Sequence, residues 1–276
     1  MNLPSRAITI AGSAAGGSAG IQADLKTFQE LDVYGMSVVT AIVARHPETD
    51  KNVHLQTIEA IEAQYATAIK QVGIDALKTG MLFSKEIIEK AAELIADSEK
   101  KTVVVDPVMV GKLDSKLLAD DAIDVLKEKL VPLADVITPN VPEASYLLDG
   151  REVKTVEGMK QAAVDLYELG PQYVLVKGGR LKGEAIDVLY DGETLTAFEA
   201  PRIDTENTSG AGCSYSAAIT SYMTKGYSMP EAVRLSKGFV TTAIEYGFTY
   251  TDMVGPTYHA AERMKGEAHK IKVERF

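Results

Sequence analysis

The sequence predicts an α/β fold in which helices cover both faces of one mostly parallel β-sheet, giving three layers. Short apolar or β-branched segments alternate with amphipathic segments about six times along the chain, an order typical of such sheets. No linker rich in Pro, Gly or Ser interrupts the 276 residues. We therefore expect a single domain that spans residues 1–276.

The first half of the chain alternates apolar strands with amphipathic helices, assigned from β-branched runs and from helical spacing of apolar residues. In order, we expect strand 7–11, a helix that starts near Ala19, strand 36–44, a polar loop 45–52, helix 57–71, strand 75–81, and helix 84–96 with Ser84 as its N-cap. Small residues fill 12–20, but their glycines do not match the G-x-G-x-x-G spacing of dinucleotide-binding folds. This loop is either a flexible connection or a backbone surface for a small substrate.

The second half continues the alternation and adds one hairpin, whose turn is predicted by Asp191-Gly192. In order, we expect strand 102–105, loop 112–119, helix 120–130, a short strand from 134 that ends before Pro139 and Asn140, and a helix that begins at Glu143. After these we expect helix 155–169, strand 173–177, hairpin strands 185–190 and 194–198, helices 211–225 and 231–246, and a last helix that starts at 255–256. Residues after Gly266 are charged, and we expect them to fray.

Composition and charge exclude several classes of function. The net charge of −10 at pH 7 disfavours nonspecific binding to nucleic acid or to an anionic membrane. The single cysteine, Cys213, excludes an internal disulfide, and the four histidines lack close metal-ligand spacing. Residues 1–6 lack a signal-peptide pattern and no apolar run is long enough to cross a bilayer. We expect a cytoplasmic protein.

A turn of small residues leads into the helix predicted after residue 210. Gly210, Ala211 and Gly212 leave backbone N–H groups open, and the N-terminus of a helix favours anions. Cys213 lies in the same turn, where this field is expected to favour its thiolate. The alternative is a close-packed turn in which Cys213 is only a small buried apolar residue.

Two carboxylates follow two different strands. Asp106 comes directly after strand 102–105, and Glu143 follows the short strand that ends before Pro139 and Asn140. If both strands are parallel, these side chains share the carboxyl edge of the sheet, where open α/β folds bind ligands. Two carboxylates facing one cleft suit Mg²⁺. The competing interpretation is that Glu143 only offsets a helix dipole.

Several motifs at the ends of the strands now follow the order of one family. They are Ala11-Gly12-Ser13, residues 20–28, Lys78-Thr79-Gly80-Met81, Asp106-Pro107-Val108-Met109, Thr138-Pro139-Asn140 with Glu143, Lys177-Gly178-Gly179, and residues 210–213. The set resembles the ribokinase-like vitamin kinases, in the branch of hydroxymethylpyrimidine (phosphate) kinases and bacterial pyridoxal kinases. The resemblance covers nearly the whole chain. It implies a ribokinase-like three-layer sandwich, ATP and Mg²⁺, a homodimer, and a hydroxymethyl group on an aromatic nitrogen heterocycle as phosphoryl acceptor.

The resemblance also implies a role for each motif. Gly210, Ala211 and Gly212 would form the anion hole for the moving γ-phosphoryl group, and Cys213 would deprotonate the hydroxymethyl group. Mg²⁺ would be held by Asp106 and Glu143. ATP would lie against Asn140, Lys177, Gly178, Gly179, Asp187, Gly212 and Lys237. The heterocycle would lie against Gly12, Ser13, Gln22, Gly80, Met81 and Val108.

Four positions depart from the family pattern. Ala14 and Ser209 stand where an aspartate and a histidine are usual. Gly111 stands where many of these pyridoxal kinases carry a second cysteine, and Arg45 replaces the glutamine of the pyrimidine kinases and the methionine of the pyridoxal kinases. Loss of that glutamine counts against the pyrimidine. Residues 27–30, 187–192 and 254–256 also look closer to the pyridoxal kinases.

The sequence therefore predicts phosphorylation of pyridoxal, and also of pyridoxine and pyridoxamine, with hydroxymethylpyrimidine or its phosphate as the alternative substrate. A second class of function is a binding or sensing protein that kept the fold and lost catalysis, since the substrate loops are altered. A third class, a dinucleotide oxidoreductase, is disfavoured by the missing glycine fingerprint.

Overall fold

The computed structural model describes residues 3–44, 48, 52–98, 101–111 and 117–276. Within these ranges a ten-stranded sheet forms the centre of the protein. Its strands, in chain order, are β1 (Ser5–Ala14), β2 (Val33–Val43), β3 (Val53–Leu55), β4 (Ala76–Thr79), β5 (Thr102–Val105), β6 (Val136–Ile137), β7 (Tyr173–Lys177), β8 (Ala185–Tyr190), β9 (Leu195–Ala200) and β10 (Lys272–Arg275).

The strand order across the sheet is β10-β9-β8-β7-β6-β5-β4-β1-β2-β3. From β2 to β7 in this order every neighbouring pair is parallel. Strand β3 at one edge and strands β8, β9 and β10 at the other are antiparallel. The predicted mostly parallel sheet and the predicted β8–β9 hairpin are thus confirmed.

The helices of the described ranges alternate with the strands. They are α1 (Ile21–Glu30), α2 (Ile58–Gln71), α3 (Lys85–Ala96), α4 (Asp120–Val125), α5 (Val141–Leu147), α6 (Val156–Tyr167), α7 (Ala211–Thr224), α8 (Met229–Glu245) and α9 (Ala261–Lys265). Helix α4 continues into a π-helical turn, Leu126–Leu130, and a 3-10 turn, Val131–Leu133. None of the helices in the described part of the chain has the length and apolar character needed to span a lipid bilayer.

Side chains of the inner strands alternate between two cores, because successive residues of a strand point to opposite faces. Val103 and Val105 of β5 belong to the larger core, which includes buried residues of α2, α3, α4, α5 and α6. Val104 belongs to the core formed with α7 and α8. Phe28 of α1 packs with Ala217 of α7 on this second face. Helices therefore cover both faces, as predicted.

Helix starts are fixed by the polar residues that precede them. The side chains of Thr57, Ser84 and Thr155 accept hydrogen bonds from backbone N–H groups three residues later, at 3.1, 3.3 and 3.0 Å. Such N-caps satisfy donors that have no partner inside the helix. The N-cap predicted at Ser84 is confirmed.

The C-terminal part of the chain and both edges of the sheet differ from the prediction. The last helix was predicted from 255–256, but α9 begins only at Ala261. The residues after Gly266 were expected to fray, but they include β10, which pairs with β9. Strand β3 was also not predicted. The short strand predicted before Pro139 and Asn140 is present, as Val136–Ile137. Edge pairing depends on the unpaired backbone of the neighbouring strand, which only the fold reveals. Residues 45–47, 49–51 and 112–116 of the predicted loops lie outside the described residues.

Candidate active site

The predicted site residues meet at the carboxyl edge of the parallel strands. Backbone bonds hold neighbouring strand ends in line: the Asp106 N–H donates to the Thr79 carbonyl at 3.0 Å, and the Lys177 N–H donates to the Pro139 carbonyl at 2.8 Å. The chain winds from β1 to β2 on one side and returns to β4 on the other side of β1. Such a reversal opens a crevice at the carboxyl ends of the strands, where α/β proteins bind ligands.

The carboxylate of Asp106 is the centre of a hydrogen-bond cluster. Its Oδ1 accepts from Lys177 Nζ at 2.8 Å and from Thr138 Oγ1 at 2.9 Å. Its Oδ2 accepts from Ser216 Oγ of α7 at 3.3 Å. Asp106 is buried, so its charge is balanced chiefly by Lys177. This cluster joins the ends of three strands to α7.

Glu143 lies in the first turn of α5 and is buried beside the same cluster. With Asn140 it forms a capping box: the Asn140 N–H donates to Glu143 Oε2 at 2.8 Å, and the Glu143 N–H donates to Asn140 Oδ1 at 3.0 Å. Burial raises the pKa of Glu143 to about 7, the ammonium of Lys177 opposes this rise, and the charge of Asp106 adds to it. Glu143 therefore caps its helix, at the N-terminal position where the competing interpretation expected it only to offset the helix dipole, and it also lies close to a second carboxylate.

The two acids remain a pair rather than part of a larger cluster. Within the ranges that the structure describes, no group of three or more His, Cys, Asp or Glu side chains is arranged to hold a metal ion. Asp106 and Glu143 are on the same edge because β5 and β6 are parallel neighbours. Two carboxylates suit a cation that takes its other ligands from water or phosphate, as Mg²⁺ does.

The turn at the start of α7 leaves donors open. Gly210 has φ +83, and a Cβ there would lie 1.9 Å from the Ser18 carbonyl oxygen, so only glycine fits. Among the described residues, the N–H groups of Gly212 and Cys213 have no backbone acceptor. Lys177 Nζ lies 3.6 Å from the point where a Cβ of Gly212 would be. Open N–H groups at a helix N-terminus beside an ammonium are suited to an anion.

Cys213 is partly buried in this turn, and its predicted thiolate is not supported. Burial raises the pKa of the Cys213 thiol to about 11; the charge of Lys78 lowers it, Asp24 and Asp106 raise it further, and a backbone hydrogen bond from Gly20 lowers it. The expectation that the helix N-terminus favours the thiolate is thus wrong for this structure. Desolvation and two nearby carboxylates outweigh the helix field.

A buried ion pair beneath Cys213 was missed by the sequence analysis. Lys78 Nζ of β4 donates to both carboxylate oxygens of Asp24 in α1 at 2.9 Å, and both side chains have 0% exposure. Thr9 Oγ1 donates to the same carboxylate at 2.6 Å. Burial lowers the pKa of Lys78, but the charges of Asp24, Cys213 and Asp106 outweigh it, so the pKa is raised. A lysine inside an apolar strand was the available signal, because a buried charge requires a partner.

The end of β1 is held by the side chain of Gln22. Gln22 Oε1 accepts from the Ala14 N–H at 2.9 Å, and Nε2 donates to Ser13 Oγ at 2.7 Å. The amide of Gln22 therefore bonds to the last residues of the strand, which were predicted as part of a loop. Gly12 lies in the same strand end, and a Cβ on it would come within 2.6 Å of the Phe83 ring.

The other residues predicted to contact the heterocycle follow β4 and β5. The Gly80 N–H donates to the Ile10 carbonyl at 3.0 Å, which joins the ends of β1 and β4. The Met81 carbonyl accepts from Thr40 Oγ1 at 3.0 Å. Val108 is half-buried in the turn after β5. Gly80 and Gly12 thus lie at the ends of neighbouring strands.

Asp187 and Lys237, predicted beside the nucleotide, form a second buried ion pair. Lys237 Nζ donates to Asp187 Oδ2 at 2.6 Å, and Asp187 Oδ1 accepts from the Gly178 N–H at 2.9 Å. A Cβ at Gly178 would lie 2.1 Å from the Ile186 carbonyl oxygen. The two charges therefore face each other and fix the Gly178 turn, while the next residue, Gly179, is exposed.

Three of the four departures from the family pattern lie in the described part of the chain, Ala14 at the end of β1 and Ser209 and Gly111 outside the named strands and helices. Ala14 is bonded to Gln22 as above, and Ser209 Oγ donates to Ser18 Oγ at 3.0 Å. The carbonyl of Gly111 accepts from Arg180 Nη2 at 3.1 Å. Arg45 lies outside the described residues.

Comparisons with known proteins point to one family. The family described as Phosphomethylpyrimidine kinase matches residues 15–258. A pyridoxine kinase of Bacillus subtilis is 49% identical over 95% of this chain and 98% of the relative. A hydroxymethylpyrimidine/phosphomethylpyrimidine kinase of Streptomyces coelicolor is 41% identical over 93% of this chain and 94% of the relative.

Solved structures give the same two kinds of kinase. The pyridoxal kinase from Staphylococcus aureus in complex with AMP-PCP and pyridoxal is 38% identical, with a TM-score of 0.91, covering 99% of this chain and 100% of that one. The phosphomethylpyrimidine kinase from Clostridium difficile is 40% identical, with a TM-score of 0.76, covering 87% of this chain and 99% of that one. Both groups support a kinase, and they differ in the heterocycle.

Breaking the Asp24–Lys78 pair is expected to destabilise the protein. Lys78→Met leaves a buried carboxylate without its cation, which should lower the free energy of unfolding by about 3–5 kcal/mol. Lys78→Met combined with Asp24→Leu replaces both charges by apolar groups and should recover more than half of the loss. Urea unfolding measures both changes.

The matched control is Lys154→Met, since Lys154 and Glu152 form an exposed ion pair with 72% exposure on each side. This substitution should change the free energy of unfolding by less than about 1 kcal/mol. A Lys78→Met protein as stable as Lys154→Met would contradict the description of a buried, charged pair.

Proposed function

The chain belongs to the phosphomethylpyrimidine kinase family, and we propose that it transfers the γ-phosphoryl group of ATP to the hydroxymethyl group of pyridoxal, giving pyridoxal 5′-phosphate. Pyridoxine and pyridoxamine carry the same hydroxymethyl group and are included as substrates. The observation that carries the proposal is the open turn at the start of α7, which gathers unpaired N–H groups beside Lys177 and Cys213.

The choice of pyridoxal rests on similarity and on one substituted residue. The Bacillus subtilis pyridoxine kinase is 49% identical to this chain, against 41% for the Streptomyces coelicolor pyrimidine kinase. Arg45 replaces the glutamine usual in the pyrimidine kinases. The second candidate function is phosphorylation of hydroxymethylpyrimidine or its monophosphate, which the 41% relative favours.

ATP is proposed to place its phosphates between the α7 turn and the end of β7. Of the predicted anion hole Gly210, Ala211 and Gly212, the Ala211 N–H already donates to the Thr208 carbonyl at 3.2 Å. The open N–H groups of Gly212 and Cys213 would therefore donate to the transferred group, and Lys177 would add a positive charge. Donors fixed before the reaction stabilise the transition state of phosphoryl transfer without reorganising. Asn140, Gly178 and Gly179 would contact the remainder of the nucleotide, and the Asp187–Lys237 pair would hold the Gly178 turn in place.

The heterocycle is proposed to lie in the crevice between the ends of β1 and β4. Gly12, Ser13, Gly80 and Met81 come from these two strand ends, and Val108 comes from the neighbouring turn. Gln22 would contribute by holding the end of β1 that contains Ser13. In this position the hydroxymethyl group of a bound ring would face Cys213.

Cys213 is proposed to accept the proton of the hydroxymethyl group. As the substrate oxygen bonds to the γ-phosphorus and the bond to ADP breaks, the O–H proton would pass to Sγ. The sulfur must be unprotonated beforehand, and the positive charge of Lys78 lowers its pKa toward that state. Burial keeps the pKa of Cys213 at about 11, so only a small fraction is ready near neutral pH.

Mg²⁺ fits the donor set at Asp106 and Glu143. Both carboxylates are buried at one edge of the sheet, and their repulsion contributes to the raised pKa of Glu143. A divalent cation would relieve that repulsion and take its other ligands from water and phosphate. When bound there, it would neutralise charge on the ATP phosphates.

A comparison of substrates tests the proposed function. ADP formation should be followed with pyridoxal, pyridoxine, pyridoxamine, hydroxymethylpyrimidine and its monophosphate, and the product identified by its mass. We expect the highest kcat/KM with pyridoxal. A preference for a pyrimidine would establish the second candidate, and heterocycle binding without ADP formation would indicate a binding or sensing protein.

The proposed base predicts a rate that rises with pH. The profile of kcat/KM reports groups of the free enzyme, and the reactive thiolate fraction should increase about tenfold per pH unit below the pKa of Cys213, about 11. We expect a continuous rise between pH 6 and 9, and its loss in Cys213→Ala, which should still bind ATP. A wild-type profile that is flat across this range, or full activity of Cys213→Ala, would contradict the assignment.

Glu143→Gln should weaken the apparent affinity for Mg²⁺ about tenfold while leaving the fold intact. Glutamine at this position of a helix preserves the capping box with Asn140, whereas the carboxylate charge is lost. The measurement is activity against Mg²⁺ concentration, with urea unfolding as the check on stability. An unchanged Mg²⁺ requirement would remove Glu143 from the proposed site.

A further inference from the structure

The segment from Gly255 to His259, here called the C-terminal clasp, runs beside the α7 turn. Ser209 of the turn donates its N–H to the Gly255 carbonyl at 3.0 Å and accepts from the Thr257 N–H at 3.2 Å. The Gly255 N–H also donates to Asn207 Oδ1 at 3.0 Å. The clasp was predicted as the start of a helix, but it forms an extended bridge to the turn instead.

His259 ends the clasp and reaches the first turn of α7. Its Nε2 lies 2.8 Å from Ser214 Oγ, and Ser214 Oγ lies 2.8 Å from the Gly210 carbonyl oxygen. A carbonyl only accepts, so the Ser214 hydroxyl proton is directed to Gly210, and the hydroxyl oxygen accepts from His259 Nε2–H. His259 is 6% exposed, so this chain of hydrogen bonds is shielded from water.

Burial and the charged groups around His259 favour its neutral form, which this series of hydrogen bonds requires. Burial lowers the pKa of His259 to about 4, the positive charge of Lys26 adds to the lowering, and Glu30 acts in the opposite direction. The imidazole is therefore neutral near pH 7 and carries one N–H. We assign that proton to Nε2, because the Ser214 hydroxyl proton lies toward the Gly210 carbonyl and its oxygen is then the acceptor at 2.8 Å from Nε2.

We propose that His259 is a positioning residue for phosphoryl transfer, acting through Ser214 and the Gly210 carbonyl to hold the open N–H groups of the α7 turn in place. The proposal rests on the proposed kinase function. Gly210 begins the turn and Ser214 directly follows Cys213. The hydrogen bonds from His259 to Ser214 and from Ser214 to Gly210 therefore fix both ends of the segment that would contact the transferred group. His259 lies 45 residues after Ser214 in the chain, so the contact between them is a tertiary one.

Loss of this support should affect the transition state more than ATP binding. The N–H donors of the turn must match the position of the phosphoryl group in the transition state, and small displacements of these donors lower the reaction rate. ATP in the ground state has further contacts outside the turn, at the ends of β6 and β7 as proposed. We therefore expect kcat to fall while the KM for ATP changes little.

The test compares three variants of the full chain. His259→Phe keeps a ring and removes the donor, and His259→Gln retains an N–H donor of similar reach. His269→Phe is the control, since His269 bonds to Glu245 away from the α7 turn. Steady-state kinetics with ATP and pyridoxal are measured together with hydrogen–deuterium exchange of the amides of residues 208–216.

For His259→Phe we expect kcat to be about tenfold lower, with less than a twofold change in the KM for ATP and faster amide exchange in residues 208–216. His259→Gln should restore kcat to within about threefold of wild type, and His269→Phe should match wild type. Unchanged kcat or unchanged exchange in His259→Phe overturns the proposal, as does a His259→Gln protein as impaired as His259→Phe.

Two further outcomes are separated by the design. If wild type phosphorylates no substrate, the proposed function fails, and the exchange data alone decide whether His259 orders the turn. If His259→Phe does not fold, Ser214→Ala removes the acceptor of the same bond and must produce the faster exchange and lower kcat. Wild-type behaviour of Ser214→Ala would then overturn the proposal.

Discussion

The buried carboxylate of Asp106 is the contact on which the geometry of the candidate site depends. It accepts hydrogen bonds from Lys177, Thr138 and Ser216, which belong to the end of β7, the segment after β6 and helix α7. One acidic group therefore joins the strand ends to each other and contacts the start of α7 through Ser216, whose hydroxyl also has acceptors within its own helix. The same contact holds the Lys177 ammonium beside Gly212, where an anion would need it.

An acidic chain can bind an anionic substrate when its positive groups are fixed locally. The net charge is −10, yet the cleft presents the N-terminus of α7 and Lys177, with Lys78 buried beneath. Each of these lysines is paired with a carboxylate, so neither is an uncompensated charge in the interior. Burial and the same two carboxylates, Asp24 and Asp106, raise the pKa of the nearby Cys213 thiol. The thiol therefore keeps its proton.

Much of the fold was predictable because local pattern and tertiary structure agree. Strands 102–105 and 173–177 were predicted with the observed ends, since their short length and β-branched residues favour a strand over a buried helix. The edge strands β3 and β10 were not predicted. Three of the four residues of Lys272–Arg275 are charged, and the segment is a strand because it pairs with the edge of β9.

Site residues could be predicted when their place at the end of a predicted strand was enough to bring them together. Pairs that meet only through tertiary contacts between distant segments were missed. Asp106 and Glu143 follow parallel neighbouring strands, so their shared edge was predictable. Lys78 and Asp24 are 54 residues apart, and His259 and Ser214 are 45 apart, so no spacing rule pairs them. The pKa of Cys213 likewise depends on burial and on carboxylates from other segments.

The central claim is that the transferred phosphoryl group sits on the open N–H groups of the α7 turn, next to Cys213. A crystal structure of this protein with a non-hydrolysable ATP analogue and pyridoxal tests it most directly. The account predicts terminal phosphate oxygens within about 3 Å of the N–H groups of Gly212 and Cys213, with the hydroxymethyl oxygen within hydrogen-bond reach of the sulfur. A terminal phosphate bound away from this turn, or a hydroxymethyl group directed away from Cys213, would contradict it.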